Sequence, residues 1–544
     1  MVTSHIGEFQ VIETIKYCPS EDCKKIYRCE ELSRLVAPGS KFGYDVLEYV
    51  GRSVWCENHD IQKIQKDLKD QNISISERAI ACLAKKFVLY VIEAHKDQQE
   101  EIRKFLHKSG GYFLHFDSAH PGEGASHLMC AVAEEIDKKI QVVLGSVKLP
   151  RESKETVIDF LKTLKEKYGD PLAGISDMLA SNLAAFQEVF PLVLLLICHF
   201  HFLRDLGRDW MSYENMQLGN FLATYDISKR LREFAKKCKA SIEGIPLLAK
   251  SLNEKIDSSN FKSMPHMVQA YSMVIWILGY EQDLHGYGFP FDRSNLVYLQ
   301  RMKKIFDCLD ESSHGELEEL QLLLACILQD SNLQKTMKSM EEKVTDFDCL
   351  RAIMQIAPIE EKEGLNDDGC ECDMTLMEQQ LQEFIDSDKI KNNQDATYKK
   401  IVKQIHKYWK MLFAKPIEVK RADGKVEFVY PQRTNNTMER FFRDFQRSEC
   451  KRTGMDTLSR RVQSMIAETP MMKNLSNPEF MKIILKGHPT LAARFADLDI
   501  ETIREKMKKI QSQEAPLVSI QKFIERSDFY KICMKTFSKD KKVA

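Results

Sequence analysis

The chain has 544 residues, of which 43% are hydrophobic and 29% charged, with 79 Lys+Arg against 80 Asp+Glu and a net charge of −1. That length leaves room for three or more domains, and the composition is that of a globular protein, not of a disordered or fibrous one. The longest apolar run, Phe190 to Cys198, is about half of what a membrane-crossing helix requires, which argues against a membrane role.

The N-terminus "MVTSHIGEFQVIETIKYCP" lacks the basic-then-apolar order of a secretory signal. Fifteen scattered cysteines suggest reduced thiols. With so little net charge, a polyanionic partner has to be met by local patches. Residues 1–50 are loop-rich and carry Cys18 in "YCPSEDCKKIYRC", with Cys23 beyond four intervening residues, and "WCENH" follows with Cys56 and His59. These are zinc-ligand types in paired spacing. The 32 residues between Cys23 and Cys56 exceed the usual separation, and cysteines that merely share a loop region explain them equally well.

Residues 51–105 read as a small helical unit. "IQKIQKDLKD" (61–70) repeats apolar residues at helical spacing, "QNISIS" interrupts it, and "SERAIACLAKKFVLYVIEAH" resumes. Ser74 with Glu77 three residues on has capping-box spacing. Helix, turn, helix is the skeleton of a DNA-reading motif and equally of any small bundle. Lys63, Lys66 and Lys69 lie on the first helix.

Residues 106–210 alternate differently. "GYFLHFD" (111–117), "HLMCAVA" (127–133) and "IQVVLG" (140–145) are strand-like. "SKETVIDFLKTLKEKYG" (153–169) is an amphipathic helix with a Ser cap and a closing Gly. Then come strand "LAGISD", helix "SNLAAFQEVFP" and the apolar run "LVLLLIC", the pattern of a strand covered on both faces. The expected order is three strands, helix, strand, helix, strand. Residues 211–410 are almost wholly helical in pattern. Within them, 360–388 carries 11 acids against one lysine, read as an exposed loop entering a helix.

Two carboxylates draw attention by where strands stop. Asp117 closes the first strand and Asp177 the fourth. Adjacent strands lie roughly 5 Å apart, and ligands of α/β sheets sit at strand ends. Carboxylates brought so close repel unless a cation sits between them. Each Asp alone reads as a turn or helix cap; as a pair they favour a metal. A third acid, Glu439, lies in "RTNNTMERFFRDFQRSECKRTG", an amphipathic helix with Arg440, Arg443, Arg447, Lys451 and Arg452 along or just beyond it. That stripe suits phosphates, whereas Asn436 with Glu439 is also a capping pair. From Lys399 to Arg461 there are 17 Lys+Arg against 7 Asp+Glu.

In this order the motifs resemble the DDE transposases of the Mutator-like type and related bacterial insertion-sequence transposases. The carriers are "LHFD", "GISDMLASNLAAFQEVFP", the Cys-x2-His of "CHFH" (Cys198 and His201) and the acid-bearing helix with its Thr-Gly. The resemblance spans about residues 15–200 and 425–460.

It implies an α+β multi-domain chain. An RNase H-like core of mixed sheet and flanking helices (106–210 and 426–465) is interrupted by an all-helical insertion (211–425). A cysteine-bearing region (1–50) and a helix-turn-helix region (51–105) precede it, and a helical tail (466–544) follows. It implies two Mg2+ ions, with Mn2+ as substitute, on Asp117, Asp177 and Glu439. One ion activates water or a 3′-hydroxyl and the other stabilises the leaving oxygen. Cys198 and His201 would hold a carboxylate, a water or a phosphate in place, while His199, outside the pattern, packs or faces solvent.

The implied function is cleavage and transfer of transposon ends. The partners are terminal inverted repeats and target DNA, with a homo-oligomer assembled on the DNA and no membrane. The chain would sit on the nucleoid in a prokaryote and in the nucleus of a eukaryote. A transposase-derived DNA-binding protein, or a nuclease that only hydrolyses, is the alternative.

Overall fold

The computed structural model describes all residues except 5, 20–25, 121–125, 246–260, 310–313, 358–373, 422–423, 455–458, 513–519, 521–522, 525, 527 and 538–544. The chain forms two compact units, Met1–Ile197 with Pro416–Ala544, and Cys198–Lys415.

The first unit is built on a five-stranded mixed sheet. Its strands are β1 (Tyr112–Ala119), β2 (His127–Glu135), β3 (Gln141–Leu149), β4 (Ala173–Ser176) and β5 (Leu194–Ile197), in the spatial order β3-β2-β1-β4-β5. The first three make an antiparallel meander, and β4 and β5 add in parallel through the crossover helices Lys154–Tyr168 and Ala180–Val189. The expected strand and helix order is what forms. Ser153 caps its helix in a full capping box with Thr156.

Helix Ala180–Val189 lies close on the sheet because Gly174 lets it: a Cβ there would stand 2.4 Å from the Phe186 ring. Phe116 and Phe186 stack at 5.6 Å. Side chains alternate across a strand, so Leu114, Phe116 and Gly174 face this helix while His115 and Asp117 point to the other side.

The edge strand β3 is covered. Asn474, in the segment Thr469–Ser476, accepts from Val143 N at 2.8 Å and donates to Val143 O at 2.9 Å, beside the β-bulge at Ala131/Val132. Its amide stands in for a neighbouring strand and removes an open edge. The C-terminal segment also closes on the N-terminal helices, with Phe495 against Phe87 (5.7 Å) and Tyr90 (5.0 Å) and Lys506 2.6 Å from Glu93.

Helices Ile61–Asp70 and Glu77–Asp97 form where helical spacing predicts them. The cap of the second is Ser76, which accepts from Ala79 N at 3.3 Å, and not Ser74. Ile73 and Ile75 are both buried, and that alternation keeps the segment extended past Ser74. Helix Glu77–Asp97 buries ten residues, including His95, whose Nε2 meets Tyr168 Oη at 2.6 Å. The strand expected over "LVLLLIC" covers only Leu194–Ile197. Leu192, just after Pro191, is 99% exposed in a turn.

The second unit contains helices and no strand among its described residues, from His199–Thr224 to Ala396–Leu412. Its core gathers Leu231, Phe234, Val274, Leu299, Leu324 and Met340. Helical structure therefore begins at residue 199 and not at 211, because the helix starts directly after β5. The hairpin Ile417–Lys420/Val426–Val429 belongs to the first unit. The first part of the acidic stretch 360–388, residues 360–373, lies outside the described residues; its second part forms helix Met374–Asp386.

Candidate metal and nucleic-acid site

β1 and β4 pair in parallel with Phe113 opposite Ala173, Leu114 opposite Gly174 and His115 opposite Ile175. Continued by two residues, the same offset sets Asp117 opposite Asp177, the residue just past β4. Both acids thus stand at one edge of the sheet, on adjacent strands. Asp117 keeps some access to solvent but is enclosed by protein. Burial first, then the charge of Asp177, with Glu152 and Glu439 adding, holds its carboxyl well above the usual carboxylate range. Asp177 is also pushed up, by burial and then by Glu152.

Each acid has neutral hydrogen-bond donors. Ser118 N donates to Asp117 Oδ1 at 2.8 Å, and Leu179 N to Asp177 Oδ1 at 3.2 Å. Among the described residues neither Asp makes an ion pair. The short-range cap reading holds in part for Asp177, whose acceptor bond shapes the turn into helix Ala180–Val189. It does not account for two like charges in register.

Glu439 is in the first turn of helix Asn436–Thr453, which packs against β1. The helix starts at Asn436, so Asn436 is not its cap, and Asn435 before it makes no side-chain capping bond. Asn435 lies beside His115, whose imidazole burial pushes down to about 4. The helix buries Met438, Phe441, Phe445 and Glu449, and its opposite face carries the basic residues. Arg440, Arg443, Arg447 and Lys451 are exposed.

Asp444 pairs with Lys473 at 3.2 Å and Glu449 with Arg452 at 2.6 Å. The acids on this helix nearest to Arg447 and Lys451 are therefore engaged elsewhere. Arg452 is different: its guanidinium stacks 4.6 Å over Trp55 and its side chain is 10% exposed, so it serves the packing of this unit.

Glu152 has no counterpart in the sequence motifs. It lies three residues past β3, which runs parallel to β1 and so ends at the same edge. An acid shortly after the third strand of a meander was the available signal. The structure brings Asp117 and Asp177 together and sets Glu152 and Glu439 within electrostatic reach. No group of three or more His, Cys, Asp or Glu side chains among the described residues forms a ready-made ion cage.

Cys198 and His201 open the first helix of the second unit. Cys198 is buried at its N-cap position. Burial, then Arg204 and Arg208, pushes His201 down to about 4. Their part in a metal site rests on the motif alone. His199 packs, with its Nε2 2.7 Å from Leu412 O. Of the four zinc candidates, Cys23 lies outside the described residues. Cys18 is half-buried, Cys56 is exposed, and His59 is engaged by Lys63 Nζ at 2.6 Å and Glu57 at 3.1 Å.

No family model matches the sequence, and no curated protein matches it. Among solved structures, the chain is similar to the Drosophila P element transposase strand transfer complex, with a TM-score of 0.34 and 10% identity over 83% of this chain and 94% of that one. At that distance the likeness assigns neither family nor activity. None of the described helices is long and apolar enough to cross a membrane.

Proposed function

We propose that the chain is a DNA strand-transfer enzyme of the DDE transposase type, cutting and joining DNA ends at phosphorus. The observation that carries this reading is the pairing of Asp117 with Asp177. They are two enclosed carboxylates in register on neighbouring parallel strands, without a cationic partner among the described residues. A divalent cation relieves that repulsion, and the donor set is all carboxylate oxygen, which suits Mg2+ or Mn2+. Asp117, Asp177 and Glu439 would hold two ions. When bound, the ions supply an activated water or 3′-hydroxyl and stabilise the leaving oxygen.

The protein's own part is positioning. The sheet fixes two acids, helix Asn436–Thr453 brings the third, and its exposed Arg443, Arg447 and Lys451 continue away from Glu439 to take neighbouring phosphates. Lys63, Lys66 and Lys69, exposed on helix Ile61–Asp70 opposite buried Ile64 and Leu68, offer a second phosphate-binding face for recognition of the DNA end. Two ends are joined to one target when two copies assemble on DNA.

The test is nicking of a supercoiled plasmid with Mn2+. The wild type is expected to nick, and Asp177→Asn, which removes charge and not volume, is expected to fall to background while staying folded. Nicking by the variant at the wild-type rate overturns the reading. Joined products alongside nicked ones separate strand transfer from hydrolysis alone.

A further inference from the structure

We propose that Glu152 is a fourth carboxylate of the divalent-cation site, beside Asp117, Asp177 and Glu439. The proposal rests on the functional reading above and adds a residue that its motifs do not contain. Glu152 sits in the loop between β3 and helix Lys154–Tyr168. Its side chain is 8% exposed. Oε2 accepts from Ser118 Oγ, on the residue next to Asp117. His127 Nδ1 stands 3.4 Å from the same oxygen, too poorly aligned for a hydrogen bond.

Oε1 is different. It is buried and accepts nothing among the described residues. A buried carboxylate oxygen without a donor carries a desolvation cost that folds ordinarily avoid. Here the cost is compounded, since the charge of Glu152 bears on both Asp117 and Asp177.

A role confined to the fold explains Oε2, which ties the β3 loop to β1 through Ser118. It leaves Oε1 unexplained, because a glutamine would make the same tie without adding a negative charge among three acids. A divalent cation explains both oxygens. It pairs the orphaned atom and offsets the repulsion that the carboxylates exert on one another.

The experiment is a Mn2+ titration of the full chain, followed by the EPR signal of free Mn2+. Glu152→Gln keeps the bond from Ser118 and removes the charge. Its Mn2+ affinity is expected to fall by about tenfold or more, with an unfolding temperature in EDTA no lower than wild type. Ser118→Ala removes the tie and keeps the charge, and its affinity is expected to stay near wild type. Equal losses in the two variants would reassign Glu152 to bracing β1 and overturn the proposal.

Wild-type affinity in Glu152→Gln, beside lost affinity in Asp177→Asn, overturns the proposal and leaves the functional reading standing. No Mn2+ binding by the wild type removes both. Should Glu152→Gln not fold, Glu152→Asp replaces it. Drawing the carboxylate back by one methylene lowers Mn2+ affinity, and unchanged affinity overturns the proposal.

Discussion

In the helical unit, the buried ammonium of Lys343 lies 2.7 Å from Glu214 and 2.8 Å from Asp395, and Arg293 grips Asp348 at 2.8 Å. Asp346 takes both Lys389 and the Tyr398 hydroxyl. At the edge of the sheet, Glu152 is buried and Asp117 and Asp177 are half-buried, yet none meets a Lys or Arg among the described residues. Burying a charge is costly in both places. One unit meets the cost with opposite charges of its own, and those charges fix helices to one another. The other leaves it without an opposite charge at one edge, where, on the function proposed above, a divalent cation meets it. On that proposal, charge pairing separates residues that hold the fold from residues that take a ligand.

The contrast predicts opposite responses to neutralising a charge. Lys343→Met leaves Glu214 and Asp395 facing each other without a cation, and should destabilise the helical unit by about 3–5 kcal/mol in denaturant unfolding. A loss under about 1 kcal/mol would show that the buried pairs there contribute little.

Uncharged burial sharpens the comparison. His95 is pushed down to about 3 by burial and then by Lys167, so it is neutral in the fold. The unfolded chain binds its proton near pH 6.5 and the folded chain does not until near pH 3. Stability is therefore full above about pH 6.5 and falls as pH drops through that window. Between pH 6.5 and 5 the loss approaches about 2 kcal/mol. His95→Gln should flatten the acid side of the stability curve, and a slope as steep as wild type would assign it to other groups.

Asp117→Asn runs the other way from Lys343→Met. Removing one of several repelling charges should raise stability in EDTA by about 1 kcal/mol. A clear loss of stability would mean that the carboxylate holds the fold. On the basic helix, Arg447→Gln with Lys451→Gln should leave stability unchanged and lower the salt dependence of DNA affinity by about two units of slope. Arg452→Gln, stacked on Trp55, should instead lower stability. An unchanged salt slope in the double variant would place DNA elsewhere.

The sheet was legible because each element carries its own period and punctuation: alternation in "GYFLHFD", a Ser cap and a Gly stop around 154–168. Asp117 and Asp177 stood out because each closes an apolar strand-like run, although β1 continues to Ala119 and β4 stops at Ser176, and their sequence separation equals the register offset of β1 and β4. The misreadings occurred where tertiary contacts decide. Ser76 displaced Ser74 as a cap because two buried isoleucines hold the segment extended. Arg452 joined the packing because Trp55, almost 400 residues earlier, comes to lie under it. Glu152 escaped notice because its partner Ser118 is two strands away, and only the direction of β3 brings it to the acid edge.

The central claim is that Asp117 and Asp177 lack a cationic partner among the described residues because a divalent cation takes that place. Its most direct test is the thermal unfolding of the full chain in EDTA and in millimolar Mn2+, for the wild type and for Asp117→Asn combined with Asp177→Asn. A ligand that binds only the folded state raises the unfolding temperature. The account predicts a rise of several degrees for the wild type and none for the double variant. An unmoved wild type, or an equal rise in both, would contradict it.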